Sequence, residues 1–152
     1  MSTDFHLEPA RAEDLDELVA LRIAAMRESL TAIGRFDPMR ARERFANGFE
    51  PAWTRHIVVA GVRVGFVVLK PQADGLLLDH LYVSPGEQGR GLGGAVLGRI
   101  LAEADDRGLS LMVGALRTSR ANRFYERHGF ILDGEGEWDL YYRRAPCVRP
   151  SP

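Results

Sequence analysis

The chain has 152 residues, 45% hydrophobic and 27% charged, which fits one globular domain and excludes a fibre or a disordered tail. A formal net charge of -1 and a pI of about 6.4 argue against a dedicated nucleic-acid binder. The single cysteine, Cys147, leaves no intrachain disulfide and suits a reducing compartment.

The first residues, "MSTDFHLEPARAEDLDEL", carry acidic groups where a secretory leader needs a basic start and an apolar core. The most apolar stretch, "HIVVAGVRVGFVVLK", is broken by Arg63 and two glycines and is too short to span a bilayer. A cytoplasmic protein without a membrane segment is expected.

In chain order, "FHLEPA" predicts a short first strand closed by Pro9. "AEDLDELVALRIAAMRESL" predicts a helix, with acidic residues in its opening turns and Leu15, Leu18, Val19, Ile23 and Met26 as its apolar stripe. "DPMRARERFANGF" predicts a second helix, with Asp37 as N-cap, Pro38 in the first turn and Gly48 near the stop. "RHIVVA" and "RVGFVVLK", separated by Gly61 and Val62, predict an antiparallel hairpin. A turn at "PQADG" leads to a mostly apolar strand, Leu76 to Val83, whose continuity suggests burial on both faces.

After the glycine-rich "SPGEQGRGLGG", the segment "GAVLGRILAEADDRG" predicts a helix stopped by Gly108. "LSLMVGAL" is a strand reached by helix crossover, so it is expected to run parallel to Leu76–Val83. "SRANRFYERH" predicts a helix with Ala121, Phe124, Tyr125 and His128 along one side and Gly129 at its end. "FILDGE" and "WDLYYRR" predict a closing hairpin, followed by a frayed tail containing three prolines. The expected fold is a single α/β domain over residues 1–144, with a flexible tail at 145–152. Its sheet is mixed and mostly antiparallel, with one parallel pair and flanking helices.

The glycine loop lies between a strand and a helix. A helix N-terminus leaves N–H groups unpaired and carries partial positive charge, so an anion site is expected there. Three phosphate-binding patterns compete. A P-loop needs Lys-Ser or Lys-Thr after its last glycine, whereas Gly94 precedes Ala95 and Val96. The dinucleotide fingerprint is present as Gly89, Gly91 and Gly94, but "SPGEQ" intervenes after Val83 and no acidic partner follows about 20 residues on. An NADP-binding variant using Arg117 or Arg120 stays open as an alternative.

The third pattern reads the loop as Gln88-x-x-Gly91-x-Gly93. With the strand and helix around it, "LDHLYVSPGEQGRGLGGAVLGRIL" resembles the pyrophosphate-binding motif of the GCN5-related N-acetyltransferase (GNAT) superfamily. "RANRFYERHGF" is similar to that family's following signature, at Ala121, Phe124, Tyr125, Gly129 and Phe130. With "LEPARAEDLDELVALR" at the start, the resemblance spans nearly the whole chain.

The resemblance implies acetyl-CoA as cosubstrate. Backbone N–H groups across Gln88, Gly89, Arg90, Gly91, Leu92, Gly93 and Gly94 would hold the pyrophosphate, with Arg90 adding charge. Strands Leu76–Val83 and Leu109–Leu116 would splay apart at their C-terminal ends, and the pantetheine arm would pair with Leu81, Tyr82 and Val83. A backbone N–H near Val83 would stabilise the oxyanion, and Tyr125 would protonate the departing thiolate. Asp79 or His80 is the candidate base; adjacent strand residues face opposite sides, so only one of them can meet the acceptor. An asparagine common in relatives is replaced by Thr118, read here as an N-cap.

The expected function is direct acetyl transfer to a primary amine, that of a small molecule. A protein N-terminus or lysine as acceptor and a non-catalytic acyl-CoA-binding module are the other readings. Glu28, Asp37, Glu135 and Glu137 would attract a cationic amine, while Arg27 and Arg35 would hold a carboxylate. The histidines and Cys147 show no metal-ligand spacing. "DLYYRR" offers a strand to pair across a homodimer.

Overall fold

The apolar runs form seven strands in the computed structural model, which describes residues 4–32, 34, 37–89 and 91–147. They are β1 (His6–Pro9), β2 (Thr54–Val59), β3 (Val62–Gln72), β4 (Gly75–Val83), β5 (Ser110–Leu116), β6 (Ile131–Glu135) and β7 (Asp139–Arg144). They make one mixed sheet in the order β1-β2-β3-β4-β5-β7-β6. β1–β2, β2–β3, β5–β7 and β6–β7 are antiparallel, and β4–β5 is the parallel pair.

The parallel ladder runs from Gly75–Ser110 to Leu78–Val113 and ends there, although β4 continues to Val83 and β5 to Leu116. β5 keeps its other edge on β7 throughout, from Leu111–Arg144 to Leu116–Asp139.

Three details differ from the sequence reading. The β2–β3 turn is Ala60–Gly61, with φ of 50° and 80°, so Val62 joins the strand. Two left-handed residues match the twist of a tight hairpin. β3 continues through Pro71 to Gln72, which shortens the next turn to residues 73 and 74. Burial along β4 is also uneven: Leu76, Leu78 and Val83 are buried and Asp79 to Tyr82 only half so.

The route to a homodimer through "DLYYRR" is closed. β7 is paired on both edges, with β5 on one side and β6 on the other, so its main chain has no free edge to offer.

Four α-helices flank these strands. α1 (Leu15–Ala32) follows a 3-10 turn at Ala12–Asp14. α2 (Pro38–Gly48) starts as expected, with the Asp37 carboxylate accepting the Arg40 N–H at 3.2 Å. α3 (Leu92–Asp106) ends at Gly108, whose φ of 67° lets the N–H groups of Leu109 and Gly108 bond to the carbonyls of Ala104 and Asp105. α4 (Ala121–Arg127) ends the same way at Gly129, with Phe130 and Gly129 bonding back to Tyr125 and Glu126.

Contacts group the chain into two compact units, residues 1–68 with 80–93 and residues 69–79 with 94–152. The core of the first unit joins Leu18 and Val19 of α1, Phe45 of α2, and Phe66 and Val68 of β3. Phe45 and Phe66 meet edge to face at 5.5 Å. The second unit buries Val96, Leu97, Ile100 and Ala104 of α3, and Leu111 and Val113 of β5.

The first unit also holds a buried aspartate–histidine hydrogen bond that its sequence did not announce. His56 of β2 is 1% exposed, and its Nε2 lies 2.9 Å from the Asp14 carboxylate. Asp14 also accepts the Arg11 N–H at 2.9 Å, and Arg63 approaches it to 3.5 Å. In the second unit, Arg144 grips Asp105 of α3 with two bonds, and the Cys147 N–H reaches the same carboxylate at 2.9 Å.

Candidate active site

The glycine loop leaves β4 through a 3-10 turn at Pro85–Glu87. Its start is tied down: the Ser84 N–H donates to Val64 at 2.7 Å and the Glu87 N–H to Ser84 at 2.8 Å. The Gln88 side-chain amide donates to the Val83 carbonyl at 2.9 Å, pinning the loop to the strand end. Gly89 and Gly91 have φ of 82° and 79°, a left-handed conformation that costs other residues about 1–2 kcal/mol. A Cβ at either would meet open space. Backbone conformation therefore requires these glycines, and the space beside them stays open.

α3 begins at once, at Leu92, whose side chain is buried and anchors the first turn. Leu92, Gly93 and Gly94 thus lie in the turn whose N–H groups lack helical acceptors. Left-handed glycines leading into a helix N-terminus fit a phosphate anion, both in donors and in charge. Arg90, assigned to the same anion, lies outside the described residues, as do Arg35 and the side chains of Met26 and Glu28.

The end of β4 is shaped by a glycine in the neighbouring strand. A Cβ on Gly65 would overlap the Tyr82 carbonyl oxygen and come within 3.2 Å of the Val83 Cα. β3 and β4 can approach this closely only where that side chain is missing. Nothing in the sequence marked Gly65 beyond an ordinary strand glycine.

The structure separates the two candidate bases. Asp79 is ion-paired with Lys70 at 2.9 Å. His80 lies on the opposite face, its ring 5.2 Å from Phe45 of α2 and 6.2 Å from Phe66. Tyr82, two residues on, shares that face, with its hydroxyl 3.4 Å from His80 Nδ1. His80 therefore faces α2, part of the segment expected to line the acceptor.

In the second unit, α4 carries Tyr125, which is 8% exposed. Its ring packs at 5.5 Å from Phe130 and 6.4 Å from Tyr142. One turn earlier, the buried Asn122 amide donates to the carbonyls of Leu116, Arg117 and Ser119 at 2.8, 3.2 and 2.9 Å. Its Oδ1 accepts the Tyr142 hydroxyl at 3.0 Å. Asn122 thereby fixes the start of α4 to the end of β5 and to β7. Sequence reasoning passed it over, although it sits three residues before Tyr125 on the apolar side.

The Tyr142 phenol is raised above its ordinary value by burial and by the nearby Glu126 carboxylate, and it holds its proton toward Asn122. Thr118 is exposed and does not cap α4. The Ser119 hydroxyl accepts the Ala121 N–H at 3.0 Å just ahead of the helix, whose N-cap position is Arg120.

Several candidate acceptor charges have structural work. Asp37 caps α2, and Glu135 lies 3.6 Å from Arg117. His128 Nδ1 donates to the Phe124 carbonyl at 2.7 Å, and the exposed His6 pairs with Glu8. No grouping of three or more His, Cys, Asp or Glu suited to a metal occurs among the described residues.

Comparison with known proteins agrees with this architecture. Residues 53–132, just over half of the chain, match the acetyltransferase (GNAT) domain. No curated protein matches by sequence. The PaiA N-acetyltransferase of Thermoplasma acidophilum, solved in complex with coenzyme A, superposes with a TM-score of 0.77 at 16% identity, over 93% of this chain and 99% of that one. A GCN5-related N-acetyltransferase from Rhodopseudomonas palustris gives 0.73 at 25% identity, covering 95% and 98%. The ribosomal-protein-S18-alanine N-acetyltransferase of Escherichia coli gives 0.69 at 19%, covering 97% of each. The mixed sheet with its parallel pair, the glycine loop feeding α3, and the family match together place this chain in the GNAT acetyltransferase family.

Proposed function

We propose that this chain is an acetyl-CoA-dependent N-acetyltransferase that moves the acetyl group directly to the primary amine of a small molecule. The observation that carries the reading is the loop itself: two left-handed glycines deliver the chain into the N-terminus of α3, beyond the end of β4, a strand whose parallel ladder stops at Leu78. The acetyltransferase domain is taken as residues 1–144, with 145–152 as a tail.

Backbone N–H groups from Gln88 to Gly94 would bind the pyrophosphate. The Val83 carbonyl already accepts from Gln88, and the Tyr82 carbonyl turns toward Gly65. Contacts to the pantetheine arm therefore fall chiefly to Leu81, which leaves the N–H of Val83 for the thioester. Bound acetyl-CoA supplies a thioester carbonyl to an attacking amine. Around it, the Val83 N–H donates to the carbonyl oxygen as negative charge develops. His80 takes the amine proton, and Tyr125 delivers a proton to the departing sulfur. Asp79 has no such part, being engaged by Lys70.

The first test is thermal stability with acetyl-CoA and, separately, with NADPH. Acetyl-CoA at 100 times its dissociation constant is expected to add about 2.7 kcal/mol, a rise in Tm of roughly 5–11 °C for a chain of this size. A shift with NADPH instead would return the loop to the dinucleotide reading, and no shift with either would refute the phosphate site. Gly65→Ala probes the strand geometry: displacing Tyr82 and Val83 should weaken acetyl-CoA binding by about tenfold or more, roughly 1.4 kcal/mol. Gly98→Ala, on the exposed side of α3 with open space around it, should leave affinity as it was.

A further inference from the structure

The core-facing stripe of α1 continues into a half-buried charge. Leu15, Leu18 and Val19 pack on the first unit's core, and the next position at helical spacing is Arg22. Its Nε is buried and has no hydrogen-bond partner. Nη1 makes one long bond, 3.4 Å to the Ala41 carbonyl of α2. Arg63, Arg117, Arg143 and Arg144 each reach a carboxylate, whereas Arg22 reaches none among the described residues.

An unmatched guanidinium donor shut away from water is costly, since it loses hydration and gains nothing. The edge formed by Nε and the other terminal nitrogen is the planar fork that matches a carboxylate with two parallel bonds. Position supports a role toward the acceptor. Ala41 precedes Phe45 by one turn on the buried face of α2, and Phe45 touches the His80 ring. Arg22 thus lies about one helical turn from the layer that holds the candidate base.

We infer that Arg22 is the acceptor's anion-binding group, and that the acceptor is a small primary amine that also bears a carboxylate, as an amino acid does. The inference rests on the acetyl-transfer reading for the amine and on Arg22 for the acid. One guanidinium balances one negative charge, which favours a carboxylate over a doubly charged phosphate. In the free protein Nε is shut from solvent while Arg22 as a whole is only half-buried, and pairing with the incoming carboxylate relieves the orphaned donor.

The test pairs free amino acids with their carboxamides, which keep the same primary amine and side chain. Acetyl transfer is followed by thiol release, and acceptor binding by calorimetry in the presence of CoA. Acids are expected to exceed amides by at least about tenfold in kcat/KM. Arg22→Gln should bring that ratio to about one through KM, and Arg22→Lys should restore part of it, with the Tm rise on acetyl-CoA equal in all three proteins. Arg22→Met should have a ligand-free Tm equal to or above the wild type, because an unsatisfied donor is removed. Equal use of acids and amides by the wild type would overturn the inference while leaving N-acetyl transfer standing. So would a fall in Tm for Arg22→Met, which would make the residue a structural tie to Ala41. Acid binding that depends on Arg22 without acetylation of any amine would instead support the anion site and refute the transfer.

Discussion

Tyr125→Phe is expected to lower kcat for acetyl transfer by about 10²–10³-fold, the lower part of the range for losing a positioned general acid. That corresponds to roughly 2.7–4 kcal/mol of barrier. The substitution removes one oxygen and keeps the ring that packs on Phe130 and Tyr142, so fold and acetyl-CoA affinity should persist. Steady-state thiol release gives kcat, and the acetyl-CoA melting shift reports affinity independently. Tyr142→Phe is the internal comparison. Its hydroxyl serves Asn122, so the expected cost is a stability loss of about 1 kcal/mol, with kcat changed far less than in Tyr125→Phe. Turnover unaltered by Tyr125→Phe would make that residue a core aromatic and nothing more.

Asp14→Asn is expected to cost about 3 kcal/mol at neutral pH, the upper end for losing a buried hydrogen bond to a charged group. For a chain of this length that is a drop in Tm of roughly 6–12 °C. The His56 hydrogen bond, then the Arg11 N–H, hold the Asp14 carboxyl below its ordinary value of 3.8. A carboxyl depressed in the folded state stabilises fully above its unfolded value, and that stability is lost as pH falls through the folded one. The gap between wild type and Asp14→Asn should therefore be level from pH 7 to about pH 4 and close below it. Urea unfolding at pH 7, 5 and 3 measures this; a gap of the same size at pH 3 would show that the charge on Asp14 is not what stabilises the fold.

The Asp14–His56 pair also shows what kind of information a sequence withholds. The two residues lie 42 positions apart, and locally they read as a helix-start acid and a histidine in a strand. The same holds for Gly65, whose missing side chain matters only because Tyr82 and Val83 pass beside it. Asn122, given no role from the sequence, proves to be a polar tie joining three elements. Each of these roles depends on a partner distant in the chain.

Local signals, by contrast, were legible. Asp37-Pro38 set the start of α2, and Gly108 and Gly129 set the ends of α3 and α4, because a cap or a left-handed stop is decided within a few residues. Glycine spacing after an apolar strand marked the loop for the same reason, and the strand–helix–strand order forced β4 and β5 to run parallel. Periodicity says which face of a strand is apolar, but not which strand lies beside it. Tertiary structure alone placed β7 between β5 and β6, closing the edge that "DLYYRR" was expected to offer. It alone turned Asp79 toward Lys70 and His80 toward α2, because those orientations are fixed by packing against residues far away in sequence.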